Sequence, residues 1–211
     1  MSSVAMTDRT NNGALSQAAR PRGRIGRVFG FLMGRLNKPA YRWTVQQLEP
    51  SHPKSMLEIG FGTGHLMAMA AKKLKLSSIA GVDPSELMVE TARKRLKRFR
   101  RKAEIDIKRG DDTALPAHGP YDAIAALHSF QFWEHPATTL AHIHALLAPQ
   151  GKFILVLRIH GKSAARQVPN PLSRSGNEVA QAIAAAQAAG FAMKKMAGLS
   201  KTSQGLVFAK A

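Results

Sequence analysis

A short glycine-rich segment constrains the fold more than any other part of the chain. An apolar run over residues 56–59 contains Glu58 and is followed by Gly60, Gly62 and Gly64. A helical pattern begins directly after the last glycine. This order predicts a buried parallel strand that turns sharply into a helix, with the helix N-terminal amides facing a ligand. Glycine suits such a turn because it adopts positive φ and lets a ligand approach bare backbone. The segment therefore predicts a site for a nucleotide-like cofactor.

Strand and helix patterns alternate along the rest of the chain. The predicted strands cover residues 56–59, 78–82, 104–108, 121–127, 152–157, 191–197 and 205–209, and the predicted helices cover 66–76, 87–102, 136–147 and 177–189. This alternation predicts a three-layer α/β fold with a parallel sheet and right-handed crossovers. The last two predicted strands are close enough in sequence to pair antiparallel. A turn is predicted at 149–151 and a mobile loop at 159–176.

The N-terminal region divides into two predicted parts ahead of a single α/β domain at 55–211. Residues 1–20 are polar and small, which predicts a disordered tail, and residues 21–54 form a basic helical extension. The extension contains an amphipathic helix over 20–38 and a second helix over 41–48. It could pack on the domain, cover the active site as a lid, or lie on a membrane. Tyr41 and Trp43, on the second helix, could be core residues or could cap the pocket.

Several classes of site are excluded by composition. The chain contains no cysteine, which excludes disulfides, thiolate catalysis and cysteine-based zinc sites. His142 and His144 are two residues apart on a predicted helix and point to different faces, so no metal site is predicted. No apolar run approaches the length of a membrane span. We expect a cytoplasmic protein, with peripheral membrane association left open.

Carboxylates follow several of the predicted strands. In an open parallel sheet, ligands bind at the carboxyl ends of the strands, where Glu58, Asp83 and Asp111 are expected. A carboxylate in the position of Asp83 accepts hydrogen bonds from the two ribose hydroxyls, although it could instead cap the next helix. A nicotinamide dinucleotide requires a third glycine where this chain has His65. S-adenosylmethionine carries no phosphates and does not require it.

Five segments together resemble the class I S-adenosylmethionine-dependent methyltransferases. They are residues 58–64, 81–85, 110–116, 121–136 and 146–152, in the order and at the spacing of that family's motifs. The resemblance implies a Rossmann-like methyltransferase fold, with a seven-stranded, mostly parallel sheet and an antiparallel C-terminal strand. It covers the chain from about residue 55 to the C-terminus.

The resemblance also implies a set of cofactor-binding residues. They are Glu58, Gly60, Phe61, Gly62, Thr63, Gly64, Asp83, Pro84, Asp111, Asp112, Leu127 and His128. Asp83 would hold the ribose, Asp111 would accept from the adenine amino group beside the Asp112 backbone, and residues 60–64 would surround the methionine part. The backbone near 127–128 would bind its ammonium group, and Glu58 would orient the glycine loop.

The sequence indicates the residues that contact the methyl acceptor less clearly than those that contact the cofactor. His128 is the best-placed candidate base, because it follows a strand end and histidine titrates near neutral pH, but it could merely line the pocket. Substrate contacts are predicted for Tyr41, Trp43, Phe130, Trp133 and Arg158. The aromatic residues among them could equally belong to the core. We expect a small or lipid-like acceptor.

A strong positive charge is the remaining feature. The formal net charge is +18, and residues 93–102 are basic except for Leu96 and Phe99. Such runs are usually solvated helix faces, but this density also suits a polyanion. An anionic membrane is the more coherent partner, and RNA the next. The alternatives are therefore a phospholipid or RNA methyltransferase recruited by its basic surface, or a protein that binds the cofactor without catalysis. The oligomeric state is left open.

Overall fold

The computed structural model describes residues 34–117, 119–159 and 175–211. The α-helices that lie wholly within these residues are α1 (Lys38–Leu48), α2 (His65–Lys73), α3 (Glu86–Leu96), α4 (Pro136–Leu146) and α5 (Gly176–Ala188). The strands are β1 (Ser55–Ile59), β2 (Ser78–Asp83), β3 (Glu104–Arg109), β4 (Tyr121–Leu127), β5 (Leu147–Arg158), β6 (Phe191–Ser200) and β7 (Ser203–Lys210). The predicted tail at 1–20, the predicted helix up to residue 33 and residues 160–174 of the predicted 159–176 loop lie outside the described residues.

The seven strands form one sheet in the order β3-β2-β1-β4-β5-β7-β6. Strands β1 to β5 pair in parallel, whereas β7 runs antiparallel to both β5 and β6. This confirms the predicted α/β fold with a reversed last strand. The strand order changes direction between β1 and β4, and ligands of such sheets bind at the carboxyl ends beside this point.

Several element boundaries differ from the predictions. Helix α3 ends at Leu96 and continues only as a 3₁₀ turn at Lys97–Phe99, because successive like charges weaken a helix. Helix α2 ends at Lys73, since the buried Leu74 is extended. Strand β5 begins at Leu147, but its pairing with β4 skips residues 148–151, so the turn predicted at 149–151 coincides with an irregularity inside the strand.

Two apolar layers cover the two faces of the sheet. One contains residues of α1, α2 and α3, and the other contains residues of α4 and α5. In the first layer, the ring of Trp43 on α1 lies against Gly205 on β7, where an added Cβ would stand 2.5 Å from the ring. The second predicted N-terminal helix is therefore packed on the domain. Within the described residues, no helix has the length and apolarity needed to cross a bilayer.

Candidate active site

Side chains of other elements lie close to the glycine loop between β1 and α2 on both of its sides. Gly60, Gly62 and Gly64 all have positive φ, at 75°, 53° and 71°. A Cβ added at Gly60 would lie 2.6 Å from the Cβ of Ser129, and one added at Gly64 would lie 2.9 Å from the Cβ of Ala92. The loop therefore requires glycine at these two positions both for backbone conformation and for space.

Asp83 ends β2 and reaches the glycine loop. The carboxylate is 5% exposed, and its two oxygens accept hydrogen bonds from the backbone N–H groups of Gly62 at 2.7 Å and Ser85 at 2.9 Å. Burial raises the pKa of Asp83 to about 6, although the two N–H donors oppose this shift. The Ser85 contact fits the helix-capping alternative, whereas the Gly62 contact links Asp83 to the predicted cofactor loop. Its ribose role stays a prediction.

Glu58 supplies a second buried carboxyl group at the end of β1. It is 2% exposed, and its Oε2 has no hydrogen-bond partner among the described residues. Burial, followed by the negative charge of Asp83, raises the pKa of Glu58 well above its usual range, while the backbone N–H of Met67 stabilises the ionised form. The Met67 contact joins Glu58 to the first turn of α2. An unpaired buried carboxyl oxygen is an atom that a bound ligand or water can satisfy.

The two aspartates after β3 have different surroundings. Asp111 Oδ1 accepts hydrogen bonds from the backbone N–H of Thr113 at 3.1 Å and from its hydroxyl at 2.6 Å. Asp112 is buried and accepts a 2.6 Å hydrogen bond from the Thr139 hydroxyl on α4. Burial raises the pKa of Asp112 despite this contact. Asp112 thus ties the predicted adenine segment to α4, and the adenine contact of Asp111 stays a prediction.

Helix α1 contacts the glycine loop through Tyr41. The Tyr41 ring stacks on the imidazole of His65, the first residue of α2. His65 Nδ1 lies 2.7 Å from the Thr63 hydroxyl and 3.0 Å from Arg95 Nη1, and the same Arg95 nitrogen donates to the Thr63 carbonyl. Burial, then the charge of Arg95, lowers the pKa of His65 to about 4, so its ring is neutral at pH 7.

Sequence analysis missed the roles of His65 and Arg95. His65 served only as evidence against a dinucleotide site, and Arg95 was one of eight charges in a basic run. The position of His65 directly after the third glycine was a usable signal, because a side chain there must border the loop. No pattern in the sequence distinguishes Arg95 from its basic neighbours.

The aromatic residues predicted to contact substrate occupy different places. Tyr41 lies at the glycine loop, whereas Trp43 covers Gly205 on β7. Phe130 and Trp133 are 8% and 6% exposed, contact each other with 5.0 Å between ring centroids, and belong to the core layer beneath α4. This burial favours the core alternative for Phe130 and Trp133. Their substrate contacts stay predictions.

His128 follows β4 and has an unusual backbone conformation, with φ at 56°. Its N–H donates to the Val156 carbonyl at 2.8 Å, and its Nε2 lies 3.3 Å from the Ser203 hydroxyl. Its Nδ1 is buried and has no partner among the described residues. Burial, then the charge of Arg158, lowers the pKa of His128 to about 3. The expectation that this ring titrates near neutral pH is therefore wrong, because a protonated imidazole would be poorly solvated here.

Arg158 ends β5 and connects to the start of α1. Its Nη2 donates to Asn37 Oδ1 at 3.4 Å, and the Asn37 side chain also forms a hydrogen bond with Tyr41. Burial, followed by the charge of Glu58, raises the pKa of Tyr41 to about 12. The structure therefore brings Tyr41 and Arg158 together through Asn37, which sequence analysis did not single out.

Comparisons with known proteins agree with this geometry. A family model described as a methyltransferase domain matches residues 57–153. The uncharacterised methyltransferase YdaC of Bacillus subtilis is 27% identical over 165 residues, which cover 78% of this chain and 86% of YdaC. A malonyl-[acyl-carrier protein] O-methyltransferase of Priestia megaterium is 32% identical over 100 residues, or 47% of this chain and 35% of that protein. The chain therefore spans about a third of the length of this second relative.

A solved structure supports the same fold. The plantazolicin methyltransferase BpumL, in complex with SAH (S-adenosylhomocysteine), has a TM-score of 0.72 and 15% sequence identity across 94% of this chain and 95% of its own. BpumL shares the fold of this chain. The family model and YdaC match the region that carries the glycine loop and the strand-end carboxylates. These similarities and the fold support a class I S-adenosylmethionine-dependent methyltransferase.

Proposed function

We propose that the protein transfers a methyl group from S-adenosylmethionine to a small or lipid-like acceptor that binds between α1 and the carboxyl ends of β4 and β5. One observation carries this proposal: His128 Nδ1 is a buried polar atom without a partner among the described residues. A buried group of this kind is satisfied by a ligand or water that reaches it. Arg158 and Tyr41 lie on the neighbouring elements, so an acceptor there would contact all three.

The chain has the groups needed to hold the cofactor. The glycine loop offers backbone N–H groups and carbonyls without side chains that would block them. Asp83 provides carboxylate oxygens beside this loop, and Glu58 contributes an unpaired oxygen. We propose that Asp83 holds the ribose hydroxyls and Glu58 the methionine side of the pocket. Asp111, after β3, would then accept from the adenine amino group.

S-adenosylmethionine supplies an already activated methyl group on its sulfonium. The protein must then align the acceptor and exclude water. Neutral His128 can do this with Nδ1, which accepts from an acceptor O–H or N–H, or donates to its oxygen, according to the tautomer. An imidazole with a pKa of about 3 is a weak base, so we propose that His128 positions the acceptor rather than holding a full proton.

Arg158 and Tyr41 would define the other wall of the acceptor site. Arg158 is held by Asn37 and is positively charged, so it would attract an acceptor with a carboxylate, enolate or similar oxygen. Tyr41 stays protonated at neutral pH and can donate its hydroxyl hydrogen. The acyl acceptor in the name of the Priestia megaterium relative supports this class of substrate.

Methyl transfer can be tested with S-adenosylmethionine labelled in its methyl group. The wild-type protein is incubated with a metabolite pool, a lipid extract or an RNA pool, and the label is followed into each. We expect the label in small molecules or in lipid-like molecules other than phospholipids. His128→Ala should reduce turnover about 100-fold with SAH binding retained, because misplacement of a reactant in the site can cost about this much.

His142→Ala is the matched control, since His142 lies on α4 without a polar partner among the described residues and should leave turnover unchanged. Label in RNA alone would replace the proposal with an RNA methyltransferase. Label in intact phospholipid would favour the phospholipid alternative. No transfer to any pool, with SAH bound, would indicate a non-catalytic binder.

A further inference from the structure

The basic helix α3 and the turn after it border an open cleft. The cleft has a volume of about 980 Å³ and is lined by Thr91, Lys94, Arg95, Lys97, Arg98 and Arg101. These residues follow a spacing of three or four, so they occupy one side of the helical segment. Five of the six carry a positive charge. Five of the eight cations in the 93–102 run therefore line one open surface.

The five cations of this cleft form no ion pair with a carboxylate of residues 34–117, 119–159 or 175–211; the ion pair found there joins Lys108 and Asp106. Arg95 instead donates to the Thr63 carbonyl and lies 3.0 Å from His65 Nδ1. The Arg98 guanidinium lies 4.8 Å from the centroid of the Phe99 ring. Gathered, uncompensated cations weaken the folded state by repulsion, and a bound polyanion would relieve it.

We propose that this cleft binds single-stranded RNA through its phosphate backbone. Charges three or four residues apart on a helix are about 5 to 6 Å apart along the axis, which suits successive phosphodiesters of an extended strand. The lining contains no apolar or aromatic side chain, so binding depends on phosphates and has little sequence preference. This proposal concerns binding alone and does not depend on the identity of the methyl acceptor.

The same features disfavour an anionic membrane as the occupant. A bilayer surface is broad, and peripheral proteins usually insert apolar side chains beside their basic residues. The exposed large apolar residues among those described are Leu36, Phe132, Met193 and Met196, and none of them lines the cleft. A concave, polar and strongly basic surface fits a linear polyanion better.

The cleft also borders the glycine loop. Arg95 reaches from the cleft to Thr63, and Ala92 on the same helix packs against Gly64. An RNA strand in the cleft would therefore lie beside the glycine loop.

The test compares two triple variants with equal loss of charge. In the first, Lys94→Ala, Lys97→Ala and Arg101→Ala remove cleft cations that make no other contact within the described residues. In the second, Lys72→Ala, Lys194→Ala and Lys201→Ala remove exposed cations elsewhere. Binding of a fluorescent 20-nucleotide poly(U) RNA to each full-length protein is measured by anisotropy from 50 to 300 mM salt. Thermal unfolding checks that both variants are folded.

We expect the cleft variant to bind RNA about tenfold or more weakly at 50 mM salt, and its log–log salt slope to fall by about 2, since each phosphate contact on a single strand contributes about 0.7. The control variant should keep the wild-type slope. Equal losses in both variants would overturn the proposal, because binding would then follow net charge. It would also be overturned if the wild type bound vesicles of phosphatidylglycerol and phosphatidylcholine but not the RNA.

Discussion

The phenol ring of Tyr41 lies parallel to the imidazole of His65, with 6.0 Å between ring centroids and 6° between ring planes. This contact joins the N-terminal extension to the first residue after the glycine loop. His65 is in turn held by Thr63 and Arg95, so four residues from three separate segments fix one side of the loop. The N-terminal helix α1 is therefore packed directly against the glycine loop.

Tyr41→Leu should weaken SAH binding about tenfold. Leucine keeps the apolar volume but loses the ring stack and the hydrogen bond to Asn37, which together contribute about 1 to 2 kcal/mol. Calorimetric titration with SAH measures the effect. Arg42→Ala, at the exposed neighbouring position, is the control and should bind as the wild type does. Unchanged affinity in Tyr41→Leu would separate α1 from the cofactor site.

Gly205→Ala should destabilise the protein by about 1 to 3 kcal/mol, because the new methyl group would stand 2.5 Å from the Trp43 ring and push α1 away from β7. Urea unfolding gives the change in free energy, and tryptophan fluorescence reports the altered surroundings of Trp43. Gly198→Ala is the matched control: it lies on β6, and a Cβ there meets nothing within 4 Å. Equal effects of the two substitutions would argue against the Trp43 contact.

Two positions of the glycine loop, Gly62 and Gly64, should differ in how strongly substitution by alanine destabilises the protein. Gly62→Ala introduces only the cost of positive φ, about 1 kcal/mol, because nothing lies within 4 Å of its added Cβ. Gly64→Ala adds a clash with Ala92 at 2.9 Å and should cost about 1 to 3 kcal/mol more. Thermal unfolding of the two variants compares them. Gly62→Ala as the more damaging change would contradict the loop geometry.

Asp83→Ala should abolish SAH binding in calorimetry while the protein stays folded, as circular dichroism would verify. Since the pKa of Asp83 is about 6, the wild type should bind SAH about tenfold more weakly at pH 5 than at pH 7.5, as the ribose requires the ionised carboxylate. Asp83→Asn should bind weakly at both pH values and lose this dependence. Wild-type affinity in Asp83→Ala would refute the ribose assignment.

His128 should make the protein less stable in acid. The folded pKa of about 3 lies below the ordinary value of 6.5, so between these values the unfolded chain binds the extra proton. The free energy of unfolding therefore rises with pH in this window, by about 2 kcal/mol from pH 5 to pH 7 for this group.

Asp83 has the opposite effect on the free energy of unfolding. Its pKa is raised, so the folded state binds the extra proton between about pH 4 and 6, and the free energy of unfolding falls as the pH rises there. The contribution of His128 must therefore be isolated as the difference between the wild type and His128→Asn, since asparagine tolerates the left-handed backbone. Urea unfolding at pH 5, 6 and 7 measures it. A difference that does not change with pH would show that His128 is not buried as a neutral ring.

The order of strands and helices and the position of the glycine loop can be predicted from local patterns: apolar periodicity, glycines that a sharp turn requires, and carboxylates placed directly after strands. The resemblance to the methyltransferase family adds the cofactor class and the antiparallel last strand. Residues such as Gly60, Asp83 and Asp111 could therefore be assigned to the carboxyl edge of the sheet before any coordinates were known.

The packing of helices on the sheet determines which distant residues meet at the glycine loop and at the end of β5. Tyr41 reaches His65, Arg95 reaches Thr63, and Asn37 joins Arg158 across 121 positions of sequence. Likewise, the pKa of His128 depends on burial and on a charge from another strand, which no local pattern encodes. Such contacts arise from how helices pack on the sheet, and packing brings together residues whose identities are independent along the chain.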